Sequence, residues 1–111
     1  MVYNGRIHPN IYNNRKKKED AKKIANNLIE KRLAGCTQII GPITSTYWWK
    51  GNVETAEEFL ILVKSRKELY EEIEKAKKEI HPYETPEIIA MPIVEGSKDY
   101  LEWLKNELKK D

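Results

Sequence analysis

Ile43-Thr44-Ser45-Thr46-Tyr47-Trp48-Trp49-Lys50-Gly51-Asn52-Val53 lies near the middle of the chain, and the rest can be placed around it. Apart from Ser45, its first seven residues are β-branched or aromatic, the composition of a strand. Lys50-Gly51-Asn52 reads as a hairpin turn, because Gly and Asn tolerate the positive φ that tight turns need. Val53-Glu54 begins the return. Before the hairpin, Gly41-Pro42 marks a bend or bulge, and Cys36 to Ile40 reads as a strand leading into it. After it, Thr55-Ala56-Glu57 is expected to interrupt the return strand, and Glu58 to Lys64 to resume it. Phe59 to Val63 is apolar on both faces. Such a strand is central in its sheet, or has one face covered by another subunit.

Helical periodicity flanks these strands. From Lys18 to Leu33 the apolar residues Ala21, Ile24, Ala25, Leu28 and Leu33 fall on one face, with Lys22, Lys23, Asn26, Glu30 and Lys31 on the other. Gly35 is the expected left-handed residue ending that helix. Ser65-Arg66-Lys67-Glu68 has the form of a capping box, and Leu69, Ile73, Ala76 and Ile80 give a second helix its core face. Glu87 to Ile93 reads as a strand whose Pro92 end lies at an edge or bulge. Ser97 is the expected N-cap of a last helix, with Asp99 in its first turn. Tyr100, Leu101, Leu104 and Leu108 form its apolar face, and Trp103 lies off that stripe. Residues 1 to 14 carry the weakest pattern: Val2-Tyr3 and Ile11-Tyr12 could each seed a short strand, Asn4-Gly5, His8-Pro9 and Asn13-Asn14 interrupt them, and one short strand is expected around Pro9 to Asn13. The Arg15-Lys16-Lys17-Lys18 run reads as a solvated loop leading into the first helix.

The order of elements gives an α+β class: a split βαββαβ, ferredoxin-like antiparallel sheet with a long hairpin and an extra C-terminal helix. Two helices cover one face of that sheet. The other face is left bare and apolar, which predicts an oligomer in which sheets pack on one another.

The 111 residues make a single domain. Twenty basic against eighteen acidic side chains leave a net charge of +2, which argues against a nucleic-acid partner. No apolar run approaches membrane-spanning length. The N-terminus lacks the apolar core of a secretory signal, and one cysteine, Cys36, permits no disulfide within a protomer. A cytoplasmic setting is the simplest expectation.

His81-Pro82-Tyr83-Glu84-Thr85-Pro86-Glu87-Ile88 gathers an imidazole, two carboxylates and a phenol on a connector stiffened by two prolines. Together with Leu33-Ala34-Gly35-Cys36, the Ile43 to Gly51 hairpin and Tyr100-Leu101-Glu102-Trp103, it makes residues 19 to 108 resemble the CutA (CutA1) divalent-cation-tolerance proteins. The resemblance implies a homotrimer of PII-like architecture, with strands of neighbouring subunits joined at their edges and a role in copper or other divalent metal tolerance. His81 and Glu87 match the family's proposed metal ligands, and Glu84 joins them by proximity. Imidazole plus carboxylate suits Cu2+ or another divalent cation, with no cofactor obligatory. The likeness fails at the N-terminus, where His8-Pro9-Asn10-Ile11-Tyr12-Asn13-Asn14-Arg15 replaces a continuous apolar strand. Asn13 stands near the place of a cysteine that some members carry.

The alternative is a PII-like signalling or scaffold trimer that binds a small molecule or partner protein at subunit clefts, with no physiological metal role. Tyr47, Trp48, Trp49, Tyr83 and Trp103 would line such a cleft. Tyr47, Trp48, Trp49 and Trp103 read more simply as interface residues, the long hairpin acting as a subunit clasp. Cys36, at a helix-to-strand junction, reads as core rather than ligand. Catalysis is not expected: nothing in the sequence supplies an activated nucleophile or an oxyanion hole.

Overall fold

A computed structural model describes the backbone of residues 2–6, 14–80 and 87–110, and the side chains of residues 18–79 and 88–110. The elements run β1 (Val2–Arg6), α1 (Asn14–Glu30), β2 (Cys36–Trp49), β3 (Asn52–Lys64), a 3-10 turn at Lys67–Leu69, α2 (Tyr70–Ile80), β4 (Glu87–Met91) and α3 (Lys98–Glu107). The strands form one sheet in the order β2-β3-β1-β4, every neighbouring pair antiparallel. This is the ferredoxin-like arrangement expected from the order of elements, with β1 and β3 in the centre.

The alternation of β3 builds the core. Phe59, Ile61 and Val63 are buried against Ile24 and Leu28 of α1 and Ile73 and Ala76 of α2. Leu60 and Leu62 point to the opposite face, as period-two geometry requires. Register places Ile40 across from Leu60, and sets both Leu62 and Ile89 opposite Asn4. Neither α1 nor α2 covers that second face: Ile40, Ile89 and Met91 are 45%, 48% and 46% exposed. At one end of the sheet, Leu104 of α3 and Leu108 just after it join the core cluster. Its N-cap is the expected one, Ser97 Oγ accepting the Tyr100 N–H at 3.3 Å.

Several local expectations are corrected. The first strand is Val2–Arg6, and the expected strand at Pro9 to Asn13 lies outside the described residues. Asn4-Gly5 does not prevent it, because β1 pairs on both sides, with β3 and with β4. The first helix starts at Asn14, so the basic run forms its opening turn rather than a loop. Positive charge there opposes the macrodipole, so packing of the apolar face holds this helix, not its N-terminal electrostatics.

The helix ends at Glu30, three residues before the expected Leu33, in a Schellman motif. The Leu33 N–H bonds the Leu28 carbonyl, and the Arg32 N–H bonds that of Ile29. The left-handed residue is therefore Arg32, at φ 59°, and not Gly35. Gly35 is small for a different reason: a Cβ there would lie 2.5 Å from Leu104 Cδ1.

Gly41-Pro42 is a bulge with a cis peptide inside one continuous strand, register shifting between Ile40 and Ile43. The return strand likewise runs unbroken through Thr55-Ala56-Glu57, because β2 pairs with it throughout and Thr46 and Thr55 share a hydroxyl hydrogen bond of 3.3 Å. The turn is a two-residue one, Lys50 and Gly51 taking the positive φ values, while Asn52 already pairs with Trp49.

The capping box does not form. Arg66 is the cap of the 3-10 turn and has no side-chain cap bond, while Ser65 Oγ donates to the Leu33 carbonyl at 2.6 Å. A buried carbonyl at the α1–β2 junction outcompetes the helix start for that hydroxyl. The strand β4 stops at Met91 rather than Ile93, since Pro92 cannot continue the ladder.

Candidate functional site

Of the residues named as metal ligands, His81 and Glu84 lie outside the described residues, as does Tyr83. The backbone of Glu87 opens β4, paired with Arg6. Arg6 also pairs with Leu60, whereas Cys36 pairs with Lys64, four residues along β3. Four residues along the strands and three strand spacings across put Cys36 ~20 Å from the start of β4. Cys36 therefore belongs to no ligand set with Glu87 inside one chain. It opens β2, partly buried and without a disulfide. Among the described residues, no three or more His, Cys, Asp or Glu side chains gather to hold a metal ion.

The hairpin aromatics occupy the far end of the molecule, whose longest dimension is 44 Å. Trp48 is 75% exposed and its cross-strand partner Val53 is 56% exposed. Trp49, half-buried on the other face, has the Lys50 ammonium 5.6 Å from its ring centroid. Trp103 is off the buried stripe of α3 and 44% exposed. It lies beside Gly35, just before the N-terminal end of β2, whereas Trp48 and Trp49 close its C-terminal end, ~40 Å away. The structure thus keeps Trp103 apart from Tyr47, Trp48 and Trp49 within a protomer.

Two concave surfaces are lined by described residues. One is a groove of about 830 Å3 along the open edge of β4, between Lys67, Tyr70 and Glu71 on one side and Ala90, Met91 and Pro92 on the other. The Tyr70 hydroxyl donates to the Ile88 carbonyl at 3.2 Å, so that edge is partly satisfied by α2. Burial raises the Tyr70 phenol above its usual range, and the Glu74 carboxylate beside it adds to the shift. Glu74 is itself held below the usual carboxylate range, chiefly by the hydrogen bond from Lys78 and then by the Tyr70 hydroxyl beside it.

The other is a recess of about 330 Å3 where the end of α1 meets α3, walled by Ile29, Glu30, Arg32, Gly35, Trp103 and Glu107. Arg32 Nη1 donates to Glu107 Oε2 at 2.8 Å and to the Glu107 carbonyl at 3.2 Å. Sequence reasoning picked out Trp103 here but missed Arg32 and Glu107, because 75 residues separate that pair and no local pattern joins them.

Residues 10–107 match the model of a protein family described as CutA1 divalent ion tolerance protein. The divalent-cation tolerance protein CutA of Archaeoglobus fulgidus is 43% identical over 98 residues, 88% of this chain and 95% of its own. That of Thermus thermophilus is 44% identical over 87 residues, 78% of this chain and 84% of its own. The chloroplastic protein CutA 1 of rice is 44% identical over 89 residues, 80% of this chain but 50% of its own, so the chain spans about half of that relative. Among solved structures, the Thermus thermophilus protein superposes with a TM-score of 0.86 at 36% identity, covering 97% of each chain. The rice protein gives 0.86 at 35% identity, covering 99% of this chain and 94% of that one.

Proposed function

The chain belongs to the CutA1 divalent ion tolerance family, and from that premise we propose that it serves divalent metal tolerance as a homotrimer, binding Cu2+ or a similar ion weakly through His81 and Glu87, with Glu84 nearby. The observation that carries this reading is the family match over residues 10–107, which spans the whole His81 to Glu87 segment. Imidazole and carboxylate are a chemically suitable pair for such an ion. Two protein donors make a weak site, and Cys36 is too far along the sheet to complete it, so further donors come from water or a neighbouring subunit. The ion is cargo rather than a resident cofactor, and no catalytic step is assigned. A cytoplasmic setting is part of the same proposal. Among the described residues no helix is long and apolar enough to cross a membrane.

The oligomer is supported by unlike sheet edges. The outer strands are β2 and β4, of different length and sequence, so pairing one with the other between copies would make a head-to-tail contact. Where the rotation between copies closes, such contacts form a ring. Ile40, Ile89 and Met91 on the helix-free face supply apolar area for sheet-on-sheet packing. The cleft-binding alternative draws on Trp48 and Trp103, both exposed in the isolated chain. Because these lie at opposite ends of a protomer, a cleft containing both needs two copies.

Calorimetric titration of Cu2+ and Zn2+ into the wild type, His81→Ala and Glu87→Gln tests the metal reading. Weakened binding in both variants supports it, and identical weak binding in all three sinks it. Light scattering should return three times the 13.1 kDa chain mass, and a monomer at micromolar concentration overturns the trimer.

A further inference from the structure

We propose that the recess between α1 and α3 is a binding site for a small organic ammonium ion, with its alkyl chain on Trp103 and Ile29 and its charge against Glu30 and Glu107. The cavity, about 330 Å3, is at the small end of the range for small-molecule sites. Its walls divide by chemistry. Ile29 and Trp103, 39% and 44% exposed, are apolar surface that a monomer leaves wet. Glu30, Arg32 and Glu107 contribute two carboxylates and one guanidinium. The guanidinium is directed at Glu107, through its carboxylate and its carbonyl. Glu30 has no ion pair among the described residues, so one negative charge is left over.

The helix adds to it. The last turn of α1 contains no basic side chain and ends in Glu30, at the pole where the macrodipole is already negative. Lys31 and Arg32 follow directly and offset part of that charge; a cation beside Glu30 is still favoured by the pole, and an anion is not. A divalent metal ion is a poorer occupant, since no group of three or more His, Cys, Asp or Glu side chains exists among the described residues. The indole favours an organic cation, being the ring with the strongest attraction for ammonium groups. An ammonium already lies on the neighbouring ring: that of Lys64 is 5.4 Å from the centroid of Tyr100, whose ring sits tilted against Trp103 at 5.6 Å between centroids.

The site shares no residue with the metal reading, so either can fail alone. The test is a titration of the full chain with putrescine, a four-carbon diammonium, followed at the Trp103 indole N–H resonance. That resonance is assigned by its loss in Trp103→Phe. A saturable shift is expected. The uncharged 1,4-butanediol should bind about tenfold or more weakly, the weight of one cation–π contact with its ion pair. Glu30→Gln, at an exposed position outside the Arg32–Glu107 pair, should weaken putrescine by about the same factor and leave the thermal midpoint unchanged. A shift that does not saturate, equal binding of the diol, an equal response to Mg2+, or unaltered binding in Glu30→Gln would each overturn the proposal.

Discussion

Arg32 reaches Glu107 with two hydrogen bonds from one nitrogen, 2.8 Å to Oε2 and 3.2 Å to the carbonyl, while its own carbonyl accepts the Lys109 N–H at 2.8 Å. One residue thus fastens the end of α3 to the end of α1 by side chain and backbone together. It does so from a left-handed conformation, φ 59°, that costs a residue with a Cβ ~1 kcal/mol. The side chains of the pair are 62% and 42% exposed, so the ion pair itself contributes no more than ~1 kcal/mol. Arg32→Ala loses the clasp and keeps the backbone cost, and should destabilise by about 1–2 kcal/mol. Arg32→Gly loses the clasp but sheds the cost, and should fall within about 1 kcal/mol of wild type. Urea denaturation of the two variants checks the ordering, and an alanine variant as stable as the glycine one refutes it.

Gly35 permits the close approach of α3. An added Cβ would stand 2.5 Å from Leu104 Cδ1, far inside contact distance. Gly35→Ala should therefore cost about 1–3 kcal/mol through overpacking. Leu104→Ala alone should cost about 2–5 kcal/mol as a core truncation. Because the two changes relieve each other, the double variant should be less destabilised than the sum. Strict additivity in a double-mutant cycle would show that the contact does not govern the site.

Ser65 distinguishes the observed geometry from the capping box suggested by Ser65-Arg66-Lys67-Glu68. Its hydroxyl is buried and donates to the Leu33 carbonyl at 2.6 Å. Ser65→Ala should leave that carbonyl unsatisfied and cost about 1–3 kcal/mol. Glu68→Gln should be close to neutral, because its carboxylate is exposed and pairs only loosely with Arg66, at 3.7 Å. Thermal midpoints of the two variants decide between the arrangements; equal losses would restore the capping box.

The sheet was legible because its signals are local. Phe59 to Val63 is apolar on both faces, the pattern of a central strand, and β3 lies between β2 and β1. The helices followed from a periodicity of three and four. What sequence missed lies where a residue's role is set by a distant neighbour. Gly35 looked like a helix terminator and is a packing gap for Leu104; Ser65 looked like a cap and is a tether for Leu33. Arg32 as a left-handed C-terminal residue contradicts the local preference for glycine, and only its partner 75 residues on explains why arginine stands there. His81 to Glu87 was legible as a motif of the family, and the metal role proposed for it rests on family membership, since its side chains lie outside the described residues. The recess beside Trp103 was half legible: the tryptophan off the stripe was visible, its acidic neighbours were not.

Tyr70, Glu74 and Lys78 form a ladder down α2 whose titration gives the fold a pH signature. Lys78 lies 3.1 Å from Glu74 Oε1, and the Tyr70 hydroxyl bonds the Ile88 carbonyl of the edge strand. Glu74 has its folded pKa lowered from 4.5, so its contribution is present above that value and lost as the pH falls through the lowered one. Tyr70 has its folded pKa raised from 10.0, so its contribution is complete below 10 and lost as the pH rises through the raised one. Glu74→Gln should flatten the acid limb of stability against pH, and bring the Tyr70 phenol back towards its usual range. Tyr70→Phe should remove its share of the alkaline limb and cost about 1 kcal/mol at neutral pH through the lost bond to Ile88. Denaturation across the pH range measures both. A Glu74→Gln variant with an unaltered acid limb, or a Tyr70→Phe variant with an unaltered alkaline one, would show that the ladder does not couple α2 to the β4 edge.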